Sequence, residues 1–156
     1  MTKFKDDLVR ADKYEKELIN YAKKYYDDSI VQVFDVRGDK FYQQKDIDFV
    51  MLKKDTSVVT VEAKIDFYPT KNFWFEKVSH KKYNSEGCIL KSKSDEIWYY
   101  SVVHGDLFII KTKKLQNWLN KQVILTDGGD NALGVKIPHK QFYYKVGYRK
   151  IGGLML

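Results

Sequence analysis

Ile47-Asp48-Phe49-Val50-Met51-Leu52 and Val58-Val59-Thr60-Val61-Glu62-Ala63-Lys64, joined by the polar turn Lys53-Lys54-Asp55-Thr56-Ser57, read as two neighbouring strands. Side chains on a strand alternate between faces, so Glu62 and Lys64 point one way while Val59, Val61 and Ala63 point the other. A tight hairpin lays the end of the second strand beside the start of the first, which brings Asp48 close to Glu62. Two acids and a base then converge at one end of a sheet.

That combination suits a hard cation held against a phosphodiester. Mg²⁺ takes oxygen ligands at roughly 2.0–2.1 Å, keeps several waters and accepts phosphate oxygens as further ligands. Such an ion polarises a phosphoryl oxygen and acidifies water, while a lysine orients that water or neutralises developing charge. Taken alone, an acid two residues before a lysine also describes a surface ion pair at a strand end. Asp48 on the preceding strand is what turns the pattern toward metal-assisted hydrolysis.

The rest of the chain frames this reading. Its 156 residues are expected to form a single domain, 1–156, with residues 122–156 as a basic, aromatic C-terminal extension of it. Twelve tyrosines, nine phenylalanines and three tryptophans supply a core. The net charge of +7 favours a polyanionic partner, either nucleic acid or an acidic surface. Cys88 is alone, so an internal disulfide and a cysteine-rich zinc site are excluded; Gly87-Cys88-Ile89-Leu90 suggests a small buried hydrophobe. The first residues lack the apolar stretch of a secretory signal and no run is long enough to span a bilayer, so a cytoplasmic protein without membrane association is expected.

Residues 4 to 26 read as an amphipathic helix whose apolar arc holds Phe4, Leu8, Ala11, Leu18, Ile19, Ala22 and Tyr26. Glu15 falls in the middle of that arc, where a carboxylate calls for a salt-bridge partner, a rim position or a metal. Glu17 reads as solvated. A strand follows at Ile30–Val36, then a turn at Arg37-Gly38-Asp39-Lys40. Asn72–Ser79 reads as a further strand, with Glu76 either solvated or near the same sheet end. From His80 to Glu96 the chain reads as a lysine-rich loop with at most a short helix. A hairpin at His104-Gly105-Asp106 joins two more strands, and Thr112 is placed to cap a helix running to about Lys121. Asp127-Gly128-Gly129-Asp130-Asn131 reads as a turn, since it lacks the lysine and spacing of a nucleotide-phosphate loop. Beyond it Lys136, His139, Lys140, Lys145, Arg149 and Lys150 alternate with Phe142, Tyr143, Tyr144 and Tyr148, a mixture that fits phosphate contacts with stacking or an edge strand with a solvated face.

With a helix bearing Glu15, then Asp48, then Glu62-Ala63-Lys64 closing a strand, residues 4 to 121 resemble the PD-(D/E)xK nuclease superfamily, the fold of many restriction endonucleases and archaeal-type Holliday junction resolvases. The resemblance implies an α/β, restriction-endonuclease-like fold, a central mixed sheet flanked by helices, with catalysis by Mg²⁺ or Mn²⁺. It implies Asp48 and Glu62 as metal ligands, Lys64 as the residue positioning water, and Glu15 as the accessory acid of the first helix. Ile47 stands where the superfamily's name has proline, and no clear helix pattern separates the third and fourth strands. The small size and the Lys, Asn and Tyr bias are similar to compact phage-encoded nucleases.

The leading expectation is a metal-dependent endonuclease acting on DNA, including branched or structured DNA, with Lys81, Lys82, Lys91, Lys93, Lys140, Lys145 and Arg149 gripping the backbone. Symmetric cutting of two strands would require a homodimer. A nucleic-acid-binding module that keeps the fold without cutting, and an RNA-selective nuclease, are the alternatives. His80, His104 and His139 lack zinc-site spacing, and no serine or cysteine nucleophile signature is present.

Overall fold

The computed structural model describes residues 3–25, 27–129 and 132–156. The chain opens with α1 (Lys3–Tyr25), β1 (Ile30–Asp35), α2 (Lys40–Gln43), β2 (Phe49–Lys53) and β3 (Val58–Asp66). It continues through β4 (Asn72–His80), a 3-10 turn (Lys81–Tyr83), β5 (Ser85–Glu86), α3 (Cys88–Lys91), β6 (Glu96–Ser101), β7 (Asp106–Lys111) and α4 (Thr112–Asn120). It closes with β8 (Thr126–Gly129), β9 (Ala132–Pro138), α5 (His139–Lys145) and β10 (Arg149–Ile151). Tyr26, Asp130 and Asn131, for which an apolar helix position and a turn were expected, lie outside the described residues, as does the side chain of Phe4.

Among the described residues the strands form a six-stranded sheet, β1-β2-β3-β6-β7-β10, and a four-stranded sheet, β5-β4-β9-β8. The larger sheet is mixed. β1, β2 and β3 run antiparallel in succession, and β6 then lies parallel to β3, with Val61 beside Glu96 and Asp66 beside Ser101. A parallel neighbour needs a crossover. Here that crossover carries β4, β5 and the single turn of α3, which explains why no helix pattern stands between the third and fourth strands of the large sheet.

Two apolar layers cover the large sheet. On one face Leu18, Ile19 and Ala22 of α1 pack on Val33, Phe49, Met51, Val61, Ala63 and Trp98. Of the expected arc, Leu18, Ile19 and Ala22 are buried whereas Leu8 is 54% exposed, since α1 meets the sheet through residues from Tyr14 to Ala22. Glu17, expected to be solvated, is half-buried.

On the other face Tyr99, Phe108 and Ile110 meet Phe73 and Phe75 of β4, Val135 and Ile137 of β9, Leu115 and Leu119 of α4, and Phe142 of α5. Burying each such side chain contributes about 1.5–3 kcal/mol relative to leaving it exposed. The architecture is mixed α/β, a mixed sheet flanked by helices, with a second sheet layered on one face.

The strand expected at Asn72–Ser79 forms within β4 and opens the second sheet. One local expectation needs correction. Thr112 does not cap α4: Lys111 is the cap residue, and Thr112 is buried with its hydroxyl 3.1 Å from Ser94 Oγ. That contact continues to Ser92 Oγ at 2.8 Å, so the hydroxyl ties the loop before β6 to the helix. The basic, aromatic tail is built into the sheets. β9 pairs with β4 and β10 pairs with β7, so residues beyond 131 complete both sheets. Among the described residues no helix is long and apolar enough to cross a membrane.

Candidate active site

Register in the β2–β3 hairpin decides where the acids fall. Phe49 pairs with Val61, and the preceding Asp48 amide donates to the Val61 carbonyl at 2.8 Å. Asp48 therefore sits beside Glu62, and its Oδ2 accepts from the Ala63 amide at 2.7 Å. The Asp48 and Glu62 carboxyls line the same cleft, and each acts on the other's charge. Lys64, on the same face of β3 as Glu62, forms a direct ion pair with it. The hairpin thus brings the three residues together as the strand pattern anticipated.

Their surroundings set their charge. Glu62 is 5% exposed, and burial pushes its carboxyl up to about 8, a rise that Lys64 opposes and Asp48 reinforces. Burial also lifts Asp48 above the ordinary aspartate value, against the Ala63 amide and Lys64. For Lys64 burial works against the ammonium, but the adjacent Glu62 carboxylate outweighs it and holds the pKa above that of ordinary lysine. Its side chain remains 30% exposed. Lys64 is therefore a permanent cation, able to donate and to neutralise charge.

Glu15 enters from α1. Arg37 Nη1 donates to Glu15 Oε2 at 3.1 Å and to Asp12 Oδ1 at 2.9 Å, while Nε and Nη2 grip Asp35 at 2.9 and 2.7 Å. Burial and the nearby Asp48 charge still raise the Glu15 pKa, against Arg37. Asp12, Glu15, Asp46, Asp48 and Glu62 line one cleft of about 280 Å³ with Arg37 as its guanidinium. Arg37 and Asp46 were both passed over in the sequence. A carboxylate on an apolar helix face calls for a cation, but which one depends on the chain path.

An oxygen-only donor set of this kind suits Mg²⁺ or Mn²⁺ rather than a softer metal. Two buried carboxyls this close resist ionising together, and a cation relieves that conflict. Among the described residues no group of three or more His, Cys, Asp or Glu side chains is arranged to hold a metal ion. The nearest oxygen donors in the cleft are the Asp48–Glu62 pair, with Glu15 drawn to Arg37.

The remaining candidates are dispersed. Glu76 lies on β4, where its carboxylate accepts from the Cys88 amide at 3.3 Å. Lys81 and Lys82 occupy the 3-10 turn after β4, and Lys81 is bound to Asp127 at 2.5 Å. Lys91 closes α3, and the Lys93 amide donates to the Lys45 carbonyl at 2.8 Å, beside the loop carrying Asp46. Lys140 and Lys145 are exposed on α5, and Arg149 is exposed on β10. Of the tail aromatics, Phe142 is core, whereas Tyr143 and Tyr144 face solvent. Comparison with family models, with curated proteins and with solved structures returns no match for this chain.

Proposed function

We propose that this chain is a metal-dependent nuclease that hydrolyses DNA phosphodiester bonds, with branched or structured DNA as its substrate class. The observation that carries this reading is the meeting of Asp48, Glu62 and Lys64, the two acids lining an acidic cleft and the lysine paired to Glu62. Asp48 and Glu62 would hold Mg²⁺ or Mn²⁺, and Glu15 would support them from α1. A bound ion would supply charge neutralisation at the phosphoryl group and a more acidic water.

The protein side of the chemistry follows from the charges. Lys64 stays protonated, so it orients the attacking water and stabilises negative charge as it develops on phosphate oxygens. The Ala63 amide fixes one oxygen of Asp48, which leaves the other to face the cleft. Arg37 holds Glu15 and Asp12 against the cleft rim and keeps their mutual repulsion in check. The net charge of +7 supports a polyanionic substrate. Cutting both strands symmetrically would engage two copies of the chain.

A second reading has its own support: Arg37 on Glu15 and Lys64 on Glu62 neutralise the acids internally, as a binding module that does not cut would require. Incubation of the protein, Lys64→Ala and Asp48→Ala with labelled duplex, single-stranded and four-way-junction DNA, and with matched RNA, separates these. Cuts that need Mg²⁺ or Mn²⁺ and vanish in both variants are expected. Binding without cutting would favour the module, equal cutting by the variants would reject the site, and preferential cutting of RNA would reassign the substrate.

A further inference from the structure

The Glu62–Lys64 ion pair separates two clefts. Glu62 lines the acidic one, and Lys64 lines a second of about 490 Å³ between β3 and the second sheet. The second cleft has the opposite chemistry. Tyr68, Phe73, Trp74 and Tyr99 form its walls, with Asp66 and Asn72 as polar points among them. Pockets of roughly 300–1,000 Å³ with apolar walls and a few placed polar groups are the usual form of small-ligand sites.

Its walls are held in place. The Trp74 indole lies where a Cβ on either Gly128 or Gly134 would collide with the ring, so those glycines make room for it. Asp66 is buried and accepts from the Tyr99 hydroxyl at 3.1 Å and the Tyr68 amide at 2.9 Å. Tyr68 itself is 67% exposed at the mouth. Lys64 and Lys136 are balanced there by Asp66, Glu76 and Asp127, so the cleft has no excess of cations for a phosphate.

We propose that this cleft receives an unpaired nucleobase from the DNA strand whose phosphate lies against Lys64, beside Asp48 and Glu62. The proposal rests on the nuclease reading and names its substrate: DNA with an unpaired nucleotide beside the cut. Phosphate and base of one nucleotide require adjacent subsites of opposite character, one ionic and one flat and aromatic. The Glu62–Lys64 ion pair is where the two clefts adjoin. A base inside a duplex must be unstacked and unpaired before it can enter such a pocket, whereas a bulge or branch point has already met that cost. Tyr68 offers a stacking face, and Asp66 and Asn72 offer hydrogen-bonding edges.

The test uses Asp48→Ala as an uncut background and a fluorescent purine analogue whose emission is quenched by stacking on aromatic rings. The analogue is placed at the single unpaired position of a bulged duplex, and in a fully paired control. Quenching and at least about tenfold tighter binding of the bulge are expected, both lost in Tyr68→Ala and in Thr70→Leu, which narrows the cleft without adding a ring; base–aromatic stacking accounts for an effect of this size. Equal affinity for the two DNAs, or quenching that survives both substitutions, overturns the proposal. Cleavage by the unmutated protein is scored on the same DNAs. A bulge that quenches through Tyr68 but is never cut supports the cleft and removes the nuclease reading, whereas equal cutting of both DNAs without quenching overturns the cleft alone.

Discussion

A charge on Asp48 comes at a cost to the fold, since burial raises its pKa and the Glu62 and Glu15 carboxyls stand close by. Asp48→Asn retains an oxygen acceptor for the Ala63 amide and removes the charge. The variant is expected to lose cleavage while gaining stability by up to about 2 kcal/mol, the usual scale when a functional compromise is relieved. A clear drop in melting temperature would instead make the carboxylate a structural group. His139 carries a different pH dependence. Its ring lies between Phe73 and Phe108, with centroids at 4.2 and 4.4 Å, and its Nε2 is buried without a partner. Burial lowers its pKa below 6.5, reinforced by His104 and Lys150 and opposed by the Asn72 backbone and Asp106. The folded chain prefers the neutral ring while the unfolded chain takes up a proton, so stability present above the unfolded pKa is lost as pH falls through the folded one. Urea midpoints at about pH 7.5 and about pH 5.5 should differ less in His139→Phe than in the unmutated protein. The same difference in both would place the acid sensitivity elsewhere.

At the level of elements, the crossover between β3 and β6 joins the site to the second sheet. Gly87 precedes α3, its amide donates to the Lys77 carbonyl at 2.8 Å, and an added Cβ would collide with the Glu76 carbonyl. Gly87→Ala must push α3 away from β4. A destabilisation of about 1–3 kcal/mol is expected, the range for forcing a methyl into a packed region. Because Cys88 of α3 lines the same cleft as Lys64, cleavage should fall too; a variant as stable and active as the parent would show that α3 floats on the sheet. The sequence made β2, β3, β6 and β7 legible because each pairs across a short turn or repeats with period two. It also placed Asp48, Glu62 and Lys64, whose meeting depends only on one hairpin's register. It did not show that β4 leaves the first sheet, because its partner β9 lies more than fifty residues along the chain and pairing at that distance leaves no local pattern. Arg37 was missed for the same reason, since its link to Glu15 spans 22 residues of chain.

For the molecule as a whole, the excess of positive charge was legible, but its distribution was not, because it depends on where the tail folds. Lys140 and Lys145 stand exposed on α5, whereas Lys81 is committed to Asp127. Cations that meet phosphates release counterions from DNA, so the logarithm of the binding constant should fall linearly with the logarithm of salt concentration. Measured in chelator, so that cutting does not intervene, binding by the unmutated protein is expected to show that slope. Lys140→Ala and Lys145→Ala should each reduce it by about one, as expected for a lost phosphate contact, and weaken binding across sequences alike. Lys81→Ala should change it less, since that ammonium is committed to Asp127 and does not release counterions from a phosphate. The comparison separates the grip from total charge, because all three variants lose the same single positive charge. Identical slopes for the three would mean that DNA responds to the net field alone, and a flat response in the unmutated protein would take phosphate contacts out of binding altogether.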